Sequence, residues 1–162
     1  MPYKLLTRVP QVSQYVPEKV LTHKVQIDPR VIQKVKDAEI WIEVSLDEQM
    51  LYVYQGMEVR YAYRVSTGRP GGPRLKSMAT RKGVYRIRPM NKTYPMWGRS
   101  DGGWRVPDVP YVMWFHHELA IHGAYWHNSF GTPVSHGCVN MAEMDAAEVY
   151  GLVKNGTVVW VH

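Results

Sequence analysis

The segment Ser135-His136-Gly137-Cys138-Val139-Asn140 carries the chain's one cysteine between groups able to make it react. A lone cysteine is most often a small buried hydrophobe, but its neighbours here argue for chemistry. A thiol attacks as its thiolate, and a nearby imidazole both takes the proton and leaves a stabilising positive charge. Two histidines are near in sequence: His136, two positions before Cys138, and His122, sixteen positions before it. Gly123 follows His122 where the backbone is least encumbered. Gly137 leaves the backbone free to aim N–H groups at one point, as an oxyanion site requires. After Cys138 the composition turns helical, and a cysteine near a helix N-terminus feels the positive end of the peptide dipoles. The pattern of strand, His-Gly, loop, Ser-His-Gly-Cys and helix therefore points to nucleophilic acyl transfer.

Other chemistries for these residues fit less well. His117-Glu118-Leu119-Ala120-Ile121-His122 nearly spells a zinc-peptidase helix, but its histidines are five apart where a shared helical face needs four. In a strand that spacing puts them on opposite faces, so no metal site is expected. Papain-like peptidases place the nucleophile before the histidine, the reverse of the order here. Sortase-like chains keep histidine before cysteine, but much further apart and with an arginine following.

The elements that must position these groups are mostly strands. Ile40, Ile42 and Val44 alternate with Trp41, Glu43 and Ser45, a period-two pattern. Strands are also expected over Leu51–Tyr54, Val59–Val65, Gly83–Arg88, Tyr111–Phe115, Leu119–His122 and Thr157–Val161. Gly- and Pro-rich residues 68–83 read as a long loop, and Asn91–Pro110 as another. Ala142, Ala146, Val149 and Val153, with Leu152, form a stripe at helical spacing, closed at Asn155-Gly156. Residues 1–38 read as an arm or spacer containing one short helix, for which Asp28 is the cap and Pro29 the first turn. Residues 39–162 read as the catalytic domain.

Charge and composition bound the partners. The formal charge is +6, and 12 Lys or Arg lie between Arg60 and Arg105 with Asp101 as the acid among them. Such a stretch suits an anionic wall polymer or is a solvated basic face. No nucleic-acid-binding motif accompanies it. The chain has 11 Tyr and 6 Trp but 2 Phe, a choice that suits half-exposed groove walls or simply strands. Tyr111 and Trp126 are expected as groove walls, with Trp114 either wall or core. Asn140 is read either as the helix cap or as a contact to substrate. No apolar run is long enough to span a membrane, and no signal peptide is expected.

The stretch Ile121-His122-Gly123 through Ser135–Asn140 resembles the signature of the L,D-transpeptidase (YkuD-like) catalytic domain. Leu46, Gln49 and Leu51–Tyr54 resemble that family's first hairpin, and Val65-Ser66-Thr67-Gly68 resembles its V-S-T-G strand end. Thr80–Gly83 with Val84–Ile87 and Gly156–Val159 agree too, so the resemblance covers about Glu39–Val161. Arg81-Lys82 replaces a usual proline region, and Asn140 stands where many members carry Arg. The resemblance implies a mostly-β domain, an antiparallel sandwich or open barrel with one principal helix after the cysteine. It implies a bacterial, extracytoplasmic cell-wall transferase, without cofactor, that acts on peptidoglycan stem peptides and is acylated by carbapenem-type β-lactams. Cys138 would be the nucleophile, His122 the base, and the Gly123 carbonyl would orient the imidazole. The N–H groups of Gly137 and Cys138 would hold the oxyanion, His136 would tune the pocket and Ser135 would fix the loop. An L,D-carboxypeptidase using water and a non-catalytic wall-binding module are the alternatives, and the oligomeric state is left open.

Overall fold

In a computed structural model, which describes residues 3–162, the chain folds into two five-stranded sheets packed face to face. The strands are β1 (Lys4–Leu5), β2 (Ile40–Ser45), β3 (Met50–Gln55), β4 (Glu58–Arg64), β5 (Gly83–Arg86), β6 (Met90–Gly98), β7 (Trp104–His116), β8 (Leu119–Gly123), β9 (Val139–Met141) and β10 (Val158–Val161). The helices are α1 (Pro17–Thr22), α2 (Pro29–Lys34) and α3 (Glu143–Leu152). One sheet runs β4-β3-β2-β10-β5; the other runs β1-β7-β8-β9, with β6 also on β7. Most neighbours are antiparallel, but β1–β7, β2–β10 and β8–β9 are parallel.

The alternation in the sequence becomes the core. Ile42, Val44, Leu51, Val53, Val159 and Val161 of one sheet meet Met113, Phe115, Ile121, Val139 and Met141 of the other, all buried. Ala146 and Val149 of α3 join them, so the predicted stripe is the face that α3 buries. The opposite face of the first sheet carries Trp41, Tyr52, Tyr54 and Trp160, and the arm covers it with Val16 and Val31. Trapped in that layer is Glu43, fully buried, whose carboxylate accepts from Tyr54 Oη at 2.6 Å and meets His23 Nε2 and His162 Nε2, each at 2.9 Å.

Asp28 caps α2 as expected, accepting from the Arg30 N–H at 2.8 Å. Three expectations need correction. The arm contains a second helix, α1, opened by Pro17, and a strand, β1. Residues 91–110 are no loop but a hairpin, β6 with the first half of β7. Its prolines Pro95, Pro107 and Pro110 hid the alternation, and β6 bears its proline as an edge strand can. Finally, a short strand, β9, stands between Cys138 and α3.

Candidate active site

The parallel pair β8–β9 sets His122 beside Asn140 and Ile121 beside Val139. Side chains alternate across a strand. Ile121, Val139 and Met141 fill the core, so Ala120, His122, Cys138 and Asn140 must project from the other face. On β7, Val112 and Trp114 share that face, packed with Ala120 and Cys138. Over it lies a groove of about 970 Å³ whose lining includes Cys138, His122, His136, Ser135, Asn140, Trp114 and Trp126. The β6–β7 hairpin supplies the far wall with Tyr94, Trp97 and Trp104, residues that the loop reading passed over.

His122 is buried, and its Nδ1 donates to the Gly123 carbonyl at 2.9 Å. That bond fixes the tautomer and leaves the Nε2 lone pair as the proton acceptor. Burial pushes its pKa down to about 4, with the Gly123 bond opposing and His127 adding to the shift. Cys138 Sγ lies 3.5 Å from the Glu118 carbonyl at the β7–β8 turn. Burial pushes the thiol up to about 11; the backbone at Ala120 works against this and the Glu118 charge adds to it. Both shifts favour the uncharged forms, the thiol and the neutral imidazole. The expected position of Cys138 at a helix N-terminus is corrected: β9 separates it from α3, so the helix dipole acts elsewhere.

The loop before Cys138 is held from several sides. Ser135 Oγ donates to the Cys138 carbonyl and accepts the Gly137 N–H at 3.2 Å. The Gly137 N–H is thus committed to Ser135, which corrects its expected place in an oxyanion hole; the Cys138 N–H takes no partner among the described residues. Thr80, buried, donates from Oγ1 to the Gly137 carbonyl at 2.6 Å and accepts the Gly68 N–H at 3.0 Å. Gly137 adopts φ +134°, a conformation that side chains disfavour, and a Cβ on Gly68 would lie 1.9 Å from the Met78 carbonyl oxygen. These two glycines let the loops close on each other.

His136 stacks on Trp104, centroids 5.0 Å apart. Its Nε2 meets Asp101 Oδ2 at 2.9 Å, and Asp101 also accepts from Arg69 Nη1 at 3.1 Å. His136, then Arg69, hold the Asp101 carboxyl below its usual range. Asp101 sits at the tip of the β6–β7 hairpin, in a short turn of helix over Ser100–Gly102. It was legible in the sequence only as the lone acid in a basic stretch.

The aromatic candidates separate. Trp126 lies in the groove wall, its ring 5.9 Å from that of His122. Trp114 is also wall, with Nε1 donating to Asn91 Oδ1 at 3.0 Å and Tyr94 edge-on at 5.3 Å. Tyr111 is on the other face of β7, packed on the core and 5.5 Å from Tyr150 of α3, so it lines no part of the groove. Alternation explains it, since Val112 and Trp114 take the groove side. Asn140 is in β9 and caps nothing; Ala142 occupies the cap position of α3 without a side-chain bond. His127 also lines the groove and meets the Asn140 amide at 3.0 Å.

The profile of the YkuD family, the L,D-transpeptidase catalytic domain, matches residues 39–161. A Bacillus subtilis (strain 168) relative, YciB, classed by its name among the L,D-transpeptidases, is 27% identical over 134 residues, 76% of this chain and 66% of its own length. An L,D-transpeptidase structure from Mycobacterium smegmatis superposes with a TM-score of 0.68 at 24% identity, covering 77% of this chain and 59% of that one. L,D-transpeptidase 3 from Mycobacterium tuberculosis, in complex with a faropenem-derived adduct, gives 0.66 at 20% identity, covering 76% and 60%. The chain thus spans less than two thirds of the length of these relatives, and the two structural likenesses establish the fold. The profile match over most of the chain establishes the family: the chain belongs to the L,D-transpeptidase catalytic-domain family.

Proposed function

We propose that this chain is a peptidoglycan L,D-transpeptidase whose nucleophile is Cys138 and whose base is His122. The observation that carries the reading is that His122 on β8 and Cys138, immediately before the parallel neighbour β9, line one groove. The Cys138 thiol passes its proton to His122 Nε2 as Sγ attacks the carbonyl of the third residue of a stem peptide. The partnerless Cys138 N–H faces the developing oxyanion. Collapse breaks the amide bond, His122 returns the proton to the departing amine, and a terminal D-amino acid leaves. The thioester is then attacked by an acceptor amine, with His122 taking the amine's proton, and the thiol is restored as the new amide forms. Microscopic symmetry between the two halves lets one imidazole serve as base and acid. His136 and Ser135 hold the nucleophile loop, and Trp126, Trp114 and Asn140 contact the stem.

Residues 39–162 form the catalytic domain in this reading, and its substrate places the enzyme outside the cytoplasm. No helix among the described residues is long and apolar enough to cross a membrane. The faropenem-derived adduct of the mycobacterial neighbour supports acylation of Cys138 by β-lactams, the carbapenem type among them. The test is mass spectrometry of the purified protein with a tetrapeptide stem and a diamino-acid acceptor. A cross-linked product and a stem adduct on the Cys138 peptide are expected. A released stem with no cross-link would identify water as the acceptor, and no adduct at all would overturn the reading.

A further inference from the structure

The arm lies outside the residues matched by the family profile, yet its first residues reach the groove and its surroundings. Leu6 lines it, and the Val9 N–H donates to the Tyr125 carbonyl at 2.9 Å. Gln11 makes the densest contact. Its Nε2 donates to the Ala124 carbonyl at 2.6 Å and the His127 carbonyl at 2.8 Å, and its Oε1 accepts the Glu143 N–H at 3.1 Å. Both amide hydrogens and the amide oxygen are thereby used.

Each partner stands beside the candidate site. Ala124 follows His122-Gly123, and its own N–H donates to the Met141 carbonyl of β9 at 2.8 Å. His127 is the residue that meets Asn140, and Trp126 between them is groove wall. Glu143 opens α3, whose cap residue Ala142 makes no side-chain cap bond, so the Gln11 amide oxygen takes the N–H of Glu143 in its place. Neighbouring arm residues hold the same helix turn: Ser13 Oγ and the Gln14 N–H donate to the buried Asp145 carboxylate at 2.6 and 2.7 Å, and Arg8 pairs with Glu143.

We infer that Gln11 is a positioning residue for the proposed acyl transfer, holding the 124–127 loop and the start of α3 so that His122, Trp126 and His127 keep their places around Cys138. The inference rests on the reading of Cys138 and His122 given above. A loop whose two carbonyls lose their donor shifts, and a small displacement of a wall or base costs rate steeply.

The experiment uses the full chain and three variants: Gln11→Ala, Gln11→Glu and, as a control at the next arm residue, Val12→Ala, a position 72% exposed. Acylation of Cys138 by a carbapenem is followed by mass spectrometry per folded molecule, and the Trp126 and His127 ring resonances by NMR. Gln11→Ala should slow acylation by about tenfold or more and move both sets of resonances, with Val12→Ala unchanged. Gln11→Glu keeps the acceptor for Glu143 but faces two carbonyls with a carboxylate. Its rate relative to wild type at the same pH should rise from about pH 8 to about pH 5, as protonation restores one donor. A purely structural role would change melting and leave that ratio flat, and this pH ratio decides the matter if Gln11→Ala fails to fold. Wild-type acylation with an equal rate in Gln11→Ala and unmoved resonances overturns the inference alone. An unacylated wild type overturns the assignment of Cys138 and this role with it.

Discussion

The Asn140 side-chain amide lies 3.0 Å from His127 Nε2, and the Ser129 N–H donates to His127 Nδ1 at 2.9 Å. Two donors, Asn140 Nδ2 and the Ser129 N–H, thus face the ring, and the Asn140 amide oxygen is the end left for a ligand. Burial holds the His127 pKa below its usual value. Asn140→Ala should therefore slow single-turnover acylation by about tenfold with little change in melting. A large fall in melting with an unchanged rate per folded molecule would show that the amide braces the sheet and does nothing for substrate.

Replacing Cys138 by Ala should abolish β-lactam and stem adducts with the fold intact, since the side chain loses one sulfur atom and leaves a modest void. Circular dichroism and intact-mass measurement on one preparation read both outcomes. Any adduct surviving in Cys138→Ala points to another nucleophile.

The pair should be neutral over a wide range. With the thiol near 11 and the imidazole near 4, thiolate absorbance in the ultraviolet should be absent at neutral pH and rise only in strong alkali. Acylation should stay level from about pH 6 to about pH 8, falling on the acid side as His122 protonates. A thiolate signal at pH 7 would mean that the resting state is an ion pair.

His122 also links stability to pH. Its folded pKa, about 4, is below the ordinary 6.5, so the unfolded chain takes up the proton first. Stability from keeping it neutral is full above about pH 6.5 and is lost as pH falls towards 4, by about 3 kcal/mol in all for this group. Denaturant midpoints at pH 7 and pH 4.5 should differ more in wild type than in His122→Gln. Equal differences would place the acid sensitivity on other groups.

Thr80 ties two loops through one hydroxyl, and Thr80→Val removes it at nearly constant volume. Loss of the buried bonds to Gly137 and Gly68 should cost about 1–3 kcal/mol and slow acylation, because the Gly137 carbonyl and Gly68 N–H are left unpaired. Asp101→Ala is the counterpart at the hairpin tip. It should raise the KM for a stem peptide while leaving alkylation of Cys138 by a small reagent unchanged, since Asp101 holds the groove wall and not the thiol.

Much of this was legible in the chain itself. Alternation in Ile40–Ser45 and Leu119–His122 named strands, and the His-Gly and Ser-His-Gly-Cys pieces named the residues that meet in the groove. What misled was local signal overridden by distant pairing. The helical stripe after Cys138 is real, but Val139–Met141 joins β8 first, which withdraws the dipole from the thiol. Tyr111 looked like wall because it is aromatic and near; the face it takes is set by its register with α3 on one side and Val112 on the other. Gln11 had no signature at all, since its partners lie 113 to 132 residues away.

The position of β10 carries a consequence for how the protein is made. It lies between β2 and β5, parallel to one and antiparallel to the other, yet of the ten strands it is synthesised last. A chain emerging from the ribosome can form the β2-β3-β4 hairpins early, but β2 keeps a bare hydrogen-bonding edge until Val158–Val161 appears. The inner layer that seats Ile121, Val139 and α3 stays unfinished for the same interval. The geometry proposed for Cys138 therefore waits for β10, and a chain still short of that strand, or unfolded, would carry an ordinary, unassisted thiol.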